Sequence, residues 1–195
     1  MKEQNNGDFY ALLFQMKNIV RWGLMYNTRP ENLSEHSMEC AVLSHALALI
    51  SNAHFGGTFD PLRLLAAGLF HDMNEVLTGD LPTPVKYYNN DIKASYKEIE
   101  HISGEKMLSL LDEKTAEEYR NLLSLTPGEA RLVKGADKLC AYIKCLKETE
   151  RGNAEFLSAR DYNKAALEKL GIPEVDYFME NDLPSFLKTI DEVRL

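Results

Sequence analysis

Five residues of this chain have types and spacings that could hold and use a metal ion: His36, the adjacent pair His71-Asp72, Glu75 and Asp137. Four of them break an apolar helical pattern. His36 shares a face with Cys40, Leu43 and Leu47, and His71 shares one with Leu64, Ala67 and Gly68. Asp72 is in line with Leu65, Gly68 and Leu69, and Asp137 falls on the stripe of Val133, Ala136, Cys140 and Ile143. An ionisable group on a buried face must be paired or bound to a metal, because isolated burial is costly. Two imidazoles and two carboxylates suit a divalent transition metal such as Mn, Co, Fe or Zn. Glu75 follows His71 by four residues and Asp72 by three, which puts all three on one side of a continuing helix. There its carboxylate could reach an activated water and serve as general base or acid.

Each residue also has a plainer reading. A lone histidine on an apolar face is more often a hydrogen-bonded core residue, and His45, among Ala41, Val42 and Leu49, is read that way. Asp137 could pair with Lys134 or Lys138, Glu75 could be solvated, and Trp22 could be a packing residue. His54 is read as a loop residue and His101 as part of a charged helix. Only the set, in the order His, His-Asp, Asp, favours a metal centre.

The elements that must position these residues read as helices nearly throughout. A first helix runs from about Asp8 to Val20, and a loop follows from Arg21 to Leu33. Ser34 is the expected N-cap of a helix reaching about Ser51. Asp60-Pro61 opens a third, Pro at the first helical position, which ends near Asp72 or continues toward Leu77. Gly79 to Pro84 is a loop, with two prolines in six residues. Helices are expected from Asn90 to Leu111, Lys114 to Leu123, Pro127 to about Arg151, and Asn153 to Leu170. Gly171 and Pro173 end the last of these, and one or two short helices close the chain. No run alternates as a strand would. The expectation is an all-α single domain over residues 1–195, without repeat, low-complexity segment or linker.

Composition narrows the setting. Cys40, Cys140 and Cys145 are odd in number and form no CxxC pair, which argues for free buried thiols in a reducing compartment. The first eight residues lack an apolar core for a signal peptide. The longest apolar run, Leu64 to Phe70, is far short of the ~20 residues that cross a bilayer. A cytoplasmic protein with no membrane partner is expected. The net charge of −8 disfavours binding of a nucleic-acid polymer, which relies on Lys and Arg. A small phosphorylated ligand would need local positive charge, such as a metal ion.

The order of His36, His71-Asp72 and Asp137 resembles the HD-domain superfamily of metal-dependent phosphohydrolases, helical bundles with the metal site between core helices. Longer stretches narrow the resemblance to the YfbR-type 5′-deoxynucleotidases: Arg21-Trp22; Ser34-Glu35-His36-Ser37; His71-Asp72 with Glu75 through Tyr87; and Ala136-Asp137 through Leu139-Cys140-Ala141-Tyr142. The similarity spans essentially the whole chain, and the loop Gly79 to Lys86 is its most specific part.

The resemblance implies hydrolysis of deoxyribonucleoside 5′-monophosphates to deoxyribonucleoside and phosphate, preference for deoxyribose, one divalent transition-metal ion (Co, Mn, Fe, Cu or Zn) and a homodimer. By residue, it implies that His36, His71, Asp72 and Asp137 are metal ligands and Glu75 the catalytic carboxylate. Arg21 and Trp22 would orient the phosphate, and Asp80, Leu81, Pro82 and Thr83 would contact the nucleotide. The alternatives are another HD-domain nucleotide phosphohydrolase, a cyclic-nucleotide phosphodiesterase, or a metal-stabilised regulatory module.

Overall fold

The computed structural model describes residues 6–86 and 88–193; of Thr83 it describes the backbone alone, and Tyr87 lies outside the described residues. Helices dominate: α1 (Gly7–Leu13), α2 (Leu33–His54), α3 (Pro61–Phe70), α4 (Glu75–Thr78), α5 (Thr83–Lys86), α6 (Asn90–Leu108), α7 (Glu113–Leu123), α8 (Pro127–Glu150), α9 (Leu157–Leu170) and α10 (Pro173–Asn181). The all-α expectation holds.

Local chemistry explains several helix starts. Thr126 caps α8 in a reciprocal box, its hydroxyl accepting from the Glu129 N–H while the Glu129 carboxylate accepts from the Thr126 N–H. Asn89 and Asp112 cap α6 and α7 through their side-chain oxygens.

Several expectations need correction. The cap of α2 is Asn32, not Ser34: the Asn32 side chain accepts from the Glu35 N–H and the Glu35 carboxylate accepts from the Asn32 N–H, each at 3.0 Å. This reciprocal pairing starts the helix two residues earlier than a Ser34 cap would. The first helix stops at Leu13, and a 3-10 turn covers Phe14–Asn18. The expected loop from Arg21 holds a short ribbon, β1 (Val20–Arg21) antiparallel to β2 (Glu31–Asn32), with Arg21 opposite Glu31. Two residues per strand are too few to alternate visibly.

His54 belongs to the last turn of α2 rather than to a loop. The third helix does not run on through Asp72: α3 stops at Phe70, turns follow over residues 71–74, and helix resumes at Glu75. The loop after Gly79 ends at Pro82, whose carbonyl accepts from the Val85 and Lys86 N–H groups and so opens α5. Helix α6 ends at Leu108, not Leu111, and a 3-10 turn over Ala154–Phe156 precedes α9.

The chain divides into two compact units. The first comprises residues 1–24, 30–37 and 70–124; the second comprises 25–29, 38–69 and 125–195. In the first, Phe9, Met73, Met107, Leu108, Leu111 and Ala116 form the core. In the second, α2 and α8 supply most of a larger core, including Leu43, Leu47, Leu132, Leu139 and Ile143. Gly68 lets α3 approach α2 closely: a Cβ there would stand 2.9 Å from the Cys40 carbonyl oxygen and 3.0 Å from the Ala41 Cα. Cys40, Cys140 and Cys145 are buried, and none forms a disulfide among the described residues.

Candidate metal and phosphate site

The first unit gathers His36, His71, Asp72, Glu75, Arg21 and Asp80. His36 lies on the first turn of α2, with its side chain fully buried. His71 and Asp72 follow the end of α3, in turns rather than on a helical face. Asp72 Oδ2 lies 2.9 Å from His71 Nε2 and 3.6 Å from His36 Nε2. The two imidazole rings are 5.3 Å apart between centroids. Two ring nitrogens thus converge on one carboxylate oxygen. Burial would push the Asp72 carboxyl up, but His71 and His36 outweigh it and hold the group well below the usual range. An ionised carboxylate beside two imidazoles is a donor set that fits a divalent transition metal.

Glu75 opens α4, and its N–H donates to the Asp72 carbonyl oxygen at 3.0 Å. It is 4% exposed, and its Oε2 has no hydrogen-bond partner among the described residues. Burial, then the neighbouring Asp72 and Asp80 carboxylates, push its pKa up to about 8, and Arg21 and Lys86 only partly oppose them. A buried carboxyl with a raised pKa beside a possible metal centre suits proton transfer.

Arg21 is held by a partner that sequence reading missed. Its Nε donates to Glu31 Oε1 at 2.9 Å, across the β1–β2 register that sets the two residues opposite each other. This leaves Arg21 Nη1 3.9 Å from Asp72 Oδ2 and 3.7 Å from Asp80 Oδ1. The guanidinium is therefore held beside the two carboxylates, and its planar fork is of the kind that pairs with phosphate oxygens. The next residue, Trp22, has φ of 59°, the one non-glycine at positive φ among the described residues. Such a conformation costs a bulky residue on the order of 1–3 kcal/mol and tends to mark functional sites.

Helix α4 ends at Gly79, whose φ of 73° and ψ of 166° are open essentially to glycine alone. Asp80, Leu81 and Pro82 follow, all half-buried. Burial raises the Asp80 pKa against the pull of Arg21. The fourth expected ligand, Asp137, is placed on α8 in the second unit, next to buried Ala136, with Lys138 Nζ 3.8 Å from its carboxylate.

A cavity of about 810 Å3 opens beside His71 and Asp72, with Asn74, Lys86, His101 and Arg120 among its walls. Its volume is in the range that takes a small ligand. Arg21, Trp22, Asp80, Leu81 and Pro82 do not line it. Lys86 and Glu100 on its wall were not assigned a role from the sequence.

The family described as 5′-deoxynucleotidase YfbR-like matches residues 8–186. The chain belongs to this family. Among curated members, the 5′-deoxynucleotidase of Shewanella oneidensis is 48% identical over 187 residues, covering 94% of this chain and 96% of the relative. Structural likeness reaches further. An HD-domain phosphohydrolase from Listeria innocua superposes with a TM-score of 0.80 at 22% identity, covering 94% of this chain and 90% of its own. The HD phosphohydrolase DatZ of cyanophage S-2L, bound to dA and one catalytic Zn2+ ion, superposes with a TM-score of 0.62 at 19% identity, covering 90% and 96%. These two likenesses show the HD fold that the sequence led us to expect.

Proposed function

We propose that this family member is a metal-dependent 5′-deoxynucleotidase, releasing phosphate from deoxyribonucleoside 5′-monophosphates. The observation that carries the reading is the convergence of His36, His71 and Asp72 beneath Arg21, with the buried Glu75 carboxyl next to them. Membership of the 5′-deoxynucleotidase YfbR-like family supports the substrate class. The dA and Zn2+ of DatZ belong to that protein and agree with the class of ligand.

His36, His71 and Asp72, with Asp137 from α8, would hold one divalent ion; Co, Mn, Fe, Cu and Zn all suit the donors. Once bound, such an ion supplies Lewis acidity at the phosphoryl oxygens and makes water a competent nucleophile near neutral pH. Glu75 takes the proton of the attacking water. Arg21 clamps the phosphoryl oxygens, its orientation kept by Glu31. Phosphoryl transfer has a loose transition state, so fixed charge and alignment do most of this work. Trp22 and the segment Asp80 to Thr83 wall the sugar, and the nucleoside 5′-oxygen leaves with a proton from solvent. A shape-based wall rejects an added hydroxyl by up to about 100-fold.

The reading carries a single domain over 1–195, a homodimer and a cytoplasmic location. Among the described residues no helix is long and apolar enough to cross a membrane. Sedimentation at the mass of one chain would remove the homodimer.

The test is phosphate release from dAMP and AMP in parallel, after EDTA and again after adding Co2+ or Mn2+. Metal-dependent release with dAMP well ahead of AMP supports the proposal. Equal rates remove the sugar selectivity, and no release with any metal removes the reading.

A further inference from the structure

The loop that opens at Gly79 is gripped at both ends by one helix. At its start, the Tyr96 hydroxyl on α6 donates to the Gly79 carbonyl oxygen at 3.3 Å and lies 3.5 Å from Thr78 Oγ1. At its far end, Lys86 Nζ donates to Glu100 Oε1 at 2.7 Å and stands 4.9 Å from the centroid of the Tyr96 ring. Tyr96 and Glu100 are four residues apart, so they share a face of α6 and rise one above the other. Tyr96 is buried at 7% exposure, and the Lys86–Glu100 pair is about a quarter exposed at each end.

Between the anchors stand Asp80, Leu81, Pro82 and Thr83. Gly79, in a conformation reserved for glycine, sets the direction in which the segment leaves α4. Pro82 sets where it re-enters helix, through the N–H groups of Val85 and Lys86. A loop with fixed ends, a fixed exit and a fixed re-entry has few ways to move its middle. Asp80 within it is 3.7 Å from Arg21, so any shift of the loop also moves a charge next to the guanidinium.

We infer that Tyr96 and Glu100 are positioning residues: they brace the Gly79–Lys86 segment against α6 and thereby set how closely its middle approaches the substrate sugar. The inference rests on the 5′-deoxynucleotidase reading for its substrate, but the brace itself is a property of the chain alone. Neither residue needs to touch reacting atoms. A residue needed only for folding would lower the amount of active enzyme without changing affinity or sugar preference.

The test compares wild type with Tyr96→Phe, Glu100→Gln and the pair together. Tyr119→Phe, on α7 and packed against the core of the first unit, is the control. Removal of one such hydrogen bond is expected to raise KM for dAMP about threefold to tenfold. The dAMP to AMP preference should shrink by a similar factor, with kcat within about twofold and the control unchanged. In chelated protein, amide hydrogens of residues 79–86 should exchange faster in the variants than in wild type. Unchanged exchange overturns the brace. Faster exchange with unchanged KM and unchanged sugar preference overturns its role in specificity. If wild type released phosphate from no deoxynucleotide, the functional reading would fail, while the exchange measurement would still decide the brace.

Discussion

Glu75 in the first unit and Glu148 in the second are both buried glutamates on helices, at 4% and 1% exposure, yet their carboxyls shift in opposite directions. Around Glu148 burial is more than offset. It accepts from the Thr28 N–H at 2.9 Å, the Thr28 hydroxyl at 2.7 Å, the Arg29 N–H at 3.2 Å and the Asn153 amide at 2.8 Å, and it pairs with Lys144. Burial alone would raise its pKa; hydrogen bonds from Lys144, Asn153 and Thr28 bring it well below the ordinary value. Around Glu75 burial is reinforced by Asp72 and Asp80, and the pKa rises to about 8. One region gives its donors to a carboxylate and keeps it ionised; the other leaves a carboxyl without such donors, so that it holds its proton up to about pH 8. The contrast sets the carboxylate whose hydrogen bonds are satisfied apart from the one proposed for proton transfer, without reference to any relative.

The comparison breaks most visibly at Glu75. Glu75→Gln keeps size and hydrogen-bonding capacity but cannot take a proton. Phosphate release from dAMP is expected to fall by about 10²- to 10⁴-fold, while the variant melts no lower than wild type. The sign follows from linkage. A raised acid pKa contributes stability that is present below the unfolded value of 4.5 and lost as pH rises through about 8. In chelated protein, removing that group therefore costs nothing at neutral pH. A joint collapse of activity and melting temperature would make Glu75 a structural residue and erase the contrast.

Glu148→Gln should do the reverse. Lys144, 9% exposed, would keep a charge without its partner, and breaking a buried pair costs about 3–5 kcal/mol. For a chain of this size that is a fall of roughly 6–20 °C in melting temperature, with kcat and KM for dAMP within about twofold. Because the folded pKa of Glu148 is depressed, its stabilisation is present above the unfolded value of 4.5 and is lost as pH falls through the folded one. The gap between wild type and variant should close on acidification, as denaturant melts at neutral and acid pH would show. A gap independent of pH would mean that the side chain acts through packing alone.

The same divide between local and distant determinants decides what could be read from the sequence. The helical pattern and the box at Thr126 lie in short windows, and His36, His71-Asp72 and Asp137 stood out because they interrupt apolar faces. The turns at residues 71–74 did not, since the apolar spacing runs on while the helix stops. Glu31 was invisible because only the ribbon sets it opposite Arg21. Nothing local marks Glu148, because its partners Thr28 and Arg29 are 120 and 119 residues away in the chain. Tyr96 and Glu100 likewise act on a segment that precedes their helix. Residue types that could do chemistry are legible in the sequence, whereas the residues that hold them in place are set by tertiary contact.

The finest test of the comparison uses a second satisfied carboxylate of the larger unit. Glu174 is 2% exposed and meets Arg131 through two hydrogen bonds, at 2.7 and 2.9 Å, while the Ser51 hydroxyl donates to it at 2.7 Å. Burial would raise its pKa, but Arg131 and then Ser51 lower it below the ordinary value. Ser51→Ala removes one neutral donor and leaves the ion pair, so the expected loss is about 1 kcal/mol, or roughly 2–4 °C. With one donor fewer the folded pKa moves back toward 4.5, so the acid decline in stability, which starts at the unfolded value in both proteins, should be smaller and end at a higher pH than in wild type. A variant that melts like wild type at neutral pH, with the same acid decline, would show that Arg131 alone satisfies Glu174. The donor count around a buried carboxylate would then be less informative than the single cation beside it.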